Sequence, residues 1–197
     1  VVPQYRNYVH NMTIGTSSQQ VSLPVPAKFN SLKSLYMTLR GKADGATTFF
    51  PHGSCRYSLS EYTLRLGSKV VPSKAPQNAP EFFCELLKSI GSLSDINHEC
   101  MIDLDNYDVI GPSANVEDTT HIHSTSSCPS FMVGVDLETY SNADKSSIFA
   151  GYNTSNEDVF FQLAFSGLAG ATNVRSDTYA LYDAVMVCES GVCSVRY

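Results

Sequence analysis

His121-Ile-His123 is the nearest approach to a metal motif in the chain. Alternate residues of a strand point the same way, so two imidazoles at this spacing could reach one ion. A third ligand would have to come from His98, Glu117, Asp118 or Cys128. The signal is weak, because the pair lies in a Ser/Thr-rich stretch that reads first as a solvated loop. The surrounding "EDTTHIHSTSSC" holds Ser, His and Asp, the side chains of nucleophilic catalysis. No Gly-x-Ser-x-Gly elbow accompanies them, and no base is held near a defined nucleophile. Asp103, Asp105 and Asp108 in "MIDLDNYD" suggest calcium, but the loop glycine and terminal Glu of an EF-hand are missing. "SGLAGATN" follows no phosphate-loop pattern. Trp is absent, which counts against most carbohydrate-binding platforms, although Tyr can serve in that role. Every chemical motif fails on spacing. The expectation is therefore no catalytic, cofactor-binding or metal residue, no cofactor, and a protein whose function is its surface rather than an enzyme.

Six cysteines are scattered at 55, 84, 100, 128, 188 and 193 with no Cys-x-x-Cys spacing, so zinc is not signalled. Cys84, among Phe and Leu neighbours in a helical pattern, reads as a buried free thiol. Cys188 and Cys193 flank "ESGV" and could face each other across a hairpin, a spacing that permits a bridge without requiring one. Two glycosylation triplets, Asn11-Met-Thr and Asn153-Thr-Ser, arise easily by chance and are not taken as evidence of secretion.

The elements that would position any such groups repeat with period two. "QQVSLPVP" sets Val21, Leu23 and Val25 on one face, with Pro24 opposite in a position typical of an edge strand or bulge. After a short turn at "AKFN", Leu35, Met37 and Leu39 alternate with polar neighbours. Tyr62, Leu64 and Leu66 lead into a Gly67-Ser68 turn, where glycine accepts positive φ, and Lys69–Val71 return until Pro72. "NAPEFFCELLKSIG" is helical. Phe83, Leu86, Leu87 and Ile90 share one face, Asn78 caps the start with Glu81 three residues on, Pro80 fits the first turn, and Gly91 ends it. Periodicity fades between Ser92 and about Ser130, then resumes in "SFMVGVDLETY", "SSIFAGYNT" and "EDVFFQLAFSG". "AGATNVRSD" reads as a loop. "ALYDAVMVCESGVCSVRY" reads as a buried terminal hairpin whose first strand is central and covered on both faces. Eight to ten strands with one helix inserted at about residues 79–90, and no βαβ alternation, predict an all-β, antiparallel jelly-roll β-sandwich over residues 1–197 as a single domain.

The formal net charge is −6 and no run of Lys or Arg exists, so direct nucleic-acid binding is not expected. No apolar stretch reaches the length of a membrane span, and "VVPQYRNYVH" carries no signal-peptide pattern. The chain does not begin with Met, which fits processing or a fragment. Only 16% of residues are charged. That is low against the usual quarter, and fits either a surface covered by partners or one rich in Ser, Thr and Asn.

The succession of blocks carries a resemblance. "SLKSLYMTLR" is followed by "FFPHGSCRYSLSEYTLRLGSKVVPSKAPQNAPEFFCELLKSIGSLSD", then "FMVGVDLETY" and "IFAGYNTSNEDVFFQLAFS", and last "TYALYDAVMVCESGVCSVRY". This order resembles the carboxy-terminal jelly roll of hexon-like, double-jelly-roll major capsid proteins of eukaryotic DNA viruses, of the adintovirus and Polinton-like kind. It extends from about Tyr5 to Tyr197. The resemblance implies a structural capsid protein of the virion, assembled inside the host cell. Its partners would be copies of itself in trimers or pseudo-hexameric capsomers and neighbouring capsid subunits, and the stretch from Ser92 to Ser130 would be a tower or inter-subunit arm. Such a family chain carries two jelly rolls, whereas 197 residues hold one, so the chain would be the second half of a longer one or a single-jelly-roll relative. The alternative is a secreted or surface β-sandwich that binds a glycan or receptor ligand. Replacing both His121 and His123 by Ala is expected to leave bound metal, measured by elemental analysis, unchanged. Loss of a stoichiometric ion would revive the metal reading.

Overall fold

The computed structural model describes residues 1–41, 53–93, 100, 102, 107–108, 130–138, 150–189 and 191–196. The alternating segments become strands β1 (Val2–Ile14), β2 (Gln19–Val25), β3 (Leu32–Gly41), β4 (Leu59–Leu66) and β5 (Lys69–Val71). After helix α1 (Ala79–Ile90) come β6 (Val133–Asp136), β7 (Val159–Phe165), β8 (Thr172–Glu189) and β9 (Val192–Arg196). One sheet has the order β1-β8-β3-β6 with β9 added to β8, and the other has the order β2-β7-β4-β5. Every strand pair in both sheets is antiparallel. Among the first eight strands, successive strands cross from sheet to sheet except at the β4–β5 hairpin, which is the eight-strand jelly roll, and β9 is added to β8 in the same sheet.

The inner faces come from the period-two residues. Leu35, Met37 and Leu39 of β3 face Leu64 and Leu66 of β4 and Phe161, Leu163 and Phe165 of β7 across a core in which each is at most 1% exposed. Pro24 sits on β2, an edge of the second sheet, where a missing N–H is tolerated. Gly67-Ser68 forms the β4–β5 turn, with Gly67 at φ 56°.

The helix closes one flank beside β6. Asn78 accepts from the Glu81 N–H at 2.9 Å, and Glu81 reaches back to the Gln77 N–H at 2.9 Å. At the other end the Gly91 and Ser92 N–H groups donate to Lys88 and Leu87, the paired bonds of a Schellman cap. Its buried face is Ala79, Phe82, Leu86 and Ser89. This corrects the face centred on Phe83 and Leu87, both only part-buried. Phe82 inserts beside Tyr62 (5.3 Å between centroids) and Phe131 (6.1 Å). Gly134 permits the approach, since a Cβ there would stand 3.1 Å from the Leu86 Cα.

Four further expectations change. Cys84 is exposed, because it lies opposite Phe82 and Leu86 on the helix. β1, thirteen residues long, was not anticipated. Most of its residues are exposed, and the inward alternate positions are broken by Gln4, Arg6 and His10, so that only Tyr8, Met12 and Ile14 carry an apolar alternation. "AGATNVRSD" is not a loop throughout, since β8 begins at Thr172 and pairs with β1 from there. The terminal hairpin is not core. β8 is indeed the central strand, but its pairing with β1 ends at Ala184 and that with β3 at Tyr182. The hairpin projects past both neighbours, and every residue of β9 is exposed. Phe82→Ala is expected to cost about 3–5 kcal/mol in urea unfolding, whereas Cys84→Ser is expected to stay within about 0.5 kcal/mol.

Candidate functional site

The overhang of β8 concentrates exposed apolar side chains. Met186 and Val195 are direct cross-strand partners, 60% and 46% exposed. Val192, opposite Glu189, is 70% exposed. Val2 pairs with Ala184, two residues from Met186, so Val2 and the preceding Val1 border the same end. Among the described residues, five of the nine exposed large apolar side chains therefore gather here. A disulfide between Cys188 and Cys193, with Cα atoms 4.2 Å apart, ties the hairpin near its tip. Cys55, Cys84 and Cys100 are free thiols.

Arg175, Asp177 and Asp183 of β8 are paired on its outer face. Asp177 accepts from Arg175 Nε and Nη2 at 3.0 and 2.8 Å, and Arg40 lies 3.7 Å from its other oxygen. Asp183 accepts from Ser31 Oγ at 2.7 Å and has Lys33 at 3.7 Å. Lys33 also pairs with Glu138 at 2.9 Å. Partial burial alone would make Lys33 a weaker base, but Glu138 and then Asp183 outweigh it and raise its pKa above the ordinary value.

Next to this network, the outer sheet face and the end of α1 enclose a groove of about 810 Å3. Tyr36 and Tyr179, cross-strand partners, and Tyr5 with its partner Leu181 line it from three adjacent strands. Tyr36 donates to the Ser89 carbonyl at 2.6 Å, which fixes the phenol against the helix, and burial raises its pKa. Asp136 lies on the rim and accepts from the Glu138 N–H at 3.0 Å. Burial raises its carboxyl pKa.

The structure brings none of the sequence-level chemical candidates together. His98, Asp103, Asp105, Glu117, Asp118, His121, His123 and Cys128, with most of the Ser92–Ser130 stretch, lie outside the described residues. Asp108 is described and pairs with Arg56 at 3.0 Å. Among the described residues no group of three or more His, Cys, Asp or Glu side chains could hold a metal, and no helix is long and apolar enough to cross a membrane. Asn11 and Asn153, the two sequon residues, are both exposed. The groove tyrosines were missed because their neighbours in space come from β1, β3 and β8. Only the alternation placing Tyr36 and Tyr179 on the outward side of their strands was available in the sequence.

No family model matches the sequence, and no curated protein matches it. Among solved structures the chain is similar to PBCV-1 VP54 fitted into a cryo-EM reconstruction of the virophage Sputnik, at 11% identity and a TM-score of 0.47. It is also similar to a chain of the quasi-atomic model of the PBCV-1 virus capsid, at 8% and 0.46, and to the mavirus major capsid protein, at 13% and 0.42. All of this chain is covered in each case, against 52%, 52% and 43% of the other. The chain thus spans about half the length of the first two. The jelly-roll assignment itself rests on the strand order of this chain.

The raised pKa of Asp136 has a stability consequence. Its protonated form favours the fold below the ordinary value of 3.8, and that contribution is lost as the pH rises through the raised value. Asp136→Asn, which keeps the acceptor for the Glu138 N–H, is expected to stabilise the protein at pH 7 by no more than about 1 kcal/mol at this half-exposed site. The gap in thermal midpoint should close at acid pH. An unchanged or lower midpoint at pH 7 would contradict the assignment.

Proposed function

We propose that the protein is a structural capsid protein that self-assembles into capsomers of an icosahedral virion shell, assembled inside the host cell. The observation that carries this reading is the apolar end built by Val1, Val2, Met186, Val192 and Val195 on an otherwise well-packed jelly roll. Large apolar groups left in water at one place mark a surface that a partner covers. The low charge content and the resemblance of the block order to double-jelly-roll capsid proteins support the same reading. The 197 residues form one jelly-roll unit of such a subunit, with a second unit or a further copy as neighbour, in trimers or pseudo-hexamers. This role requires no catalytic group, cofactor, nucleic-acid contact or membrane span.

The second reading is a secreted or surface module that binds a glycan or receptor. The Cys188–Cys193 bridge belongs to oxidising surroundings. Virion surfaces are among those surroundings, so the bridge is compatible with both readings.

Light scattering of the purified protein over a range of concentrations is expected to give trimers or larger assemblies. Met186→Glu combined with Val192→Asp is expected to give monomers with an unchanged thermal midpoint, since both side chains are exposed. A wild-type monomer at high concentration would overturn self-assembly by this chain.

A further inference from the structure

We propose that the groove between the outer sheet face and the end of α1 binds a neutral oligosaccharide. The inference goes beyond the assembly reading and does not rest on it. A volume of about 810 Å3 falls within the range of roughly 300–1,000 Å3 usual for small-ligand sites. The lining is what sugar rings require. Tyr5, Tyr36 and Tyr179 come from three neighbouring strands, and an aromatic ring with a polar tip can cover the C–H face of a pyranose while bonding its hydroxyls. Tyr5 is 66% exposed and free to take up a ring. Tyr36 is fixed in place by its bond to the Ser89 carbonyl.

Polar groups of both kinds surround the tyrosines. Lys33 supplies ammonium donors and is already positioned by Glu138 and Asp183. Asp136 and Glu138 supply acceptors. A sugar hydroxyl is both donor and acceptor, so it can use the two sets at once. Lys33 and Lys88 balance Asp136 and Glu138 along the lining, so no net charge selects an anion or a cation. An extended peptide is disfavoured for a separate reason. β3 and β8 form the floor, and both edges of each are already paired, so a peptide lying on the floor finds no strand edge there to extend, and only the β1 and β6 edges at the margins offer one.

Saturation-transfer NMR with maltotriose and chitotriose, each at millimolar concentration, tests the proposal. Transfer from at least one of them is expected, with binding weakened about tenfold or more by Tyr5→Ser and by Glu138→Gln. Tyr5 is exposed and Glu138 lies at the rim, so both variants are expected to fold, and the thermal midpoint verifies this. No transfer from either sugar, or transfer unchanged in both variants, overturns the proposal. So does groove binding of hexalysine or hexaglutamate where the sugars fail. The native mass of the same samples is read in parallel, which separates loss of sugar binding from loss of assembly.

Discussion

The backbone ladder of β8 is the interaction on which the rest depends. Its eighteen residues pair with β1 from Thr172 to Ala184 and with β3 from Val174 to Tyr182, then fold back onto β9 from Val185. A central strand can be buried only if its N–H and C=O groups are taken on both sides, and β8 meets that condition along the length facing the second sheet. The same strand holds the buried charges. Asp177 and Asp183 are answered by Arg175 and Arg40, and by Ser31 and Lys33, respectively. Because breaking a buried pair leaves an uncompensated charge, these contacts fix β3 and β8 in one register and set the outward positions of Tyr36 and Tyr179.

Length mismatch then creates the surfaces. β8 is longer than either partner, so its last residues carry their apolar side chains beyond the sandwich, and the short return strand β9 cannot bury them. β1 borders the same end and is also an edge strand with a free backbone side, a feature that invites pairing unless something covers it. On the opposite flank α1 does cover β6, through Phe82, Leu86 and the close approach at Gly134. One flank of the molecule is therefore sealed by its own helix, and the other is left for a partner.

Strands with a buried apolar stripe were legible in the sequence. Leu35, Met37 and Leu39, the Tyr62–Val71 hairpin, Phe161–Phe165 and the capped helix all carry their period on the surface of the text. β1 was not legible, because thirteen residues of pairing with β8 hold it while its inner face is apolar only at Tyr8, Met12 and Ile14. The start of β8 at "TNVRSD" hid for a related reason. Its outward positions hold Arg175 and Asp177, an ion pair that looks like loop chemistry until the strand is seen to bury it. The terminal hairpin misled in the opposite direction. Apolar alternation signals burial only when an opposing layer exists, and Met186, Val192 and Val195 have none. The one-residue error in the helix face follows from the Phe82-Phe83 pair, whose two rings satisfy the helical pattern almost equally well.

Hydrogen–deuterium exchange on dilute and concentrated protein tests most directly whether the uncovered end is an assembly surface. Peptides spanning residues 1–9 and 185–196 should exchange more slowly in the concentrated sample, while those of α1 stay unchanged. Identical uptake at both concentrations, or protection confined to other parts of the sandwich, would contradict assembly through this end.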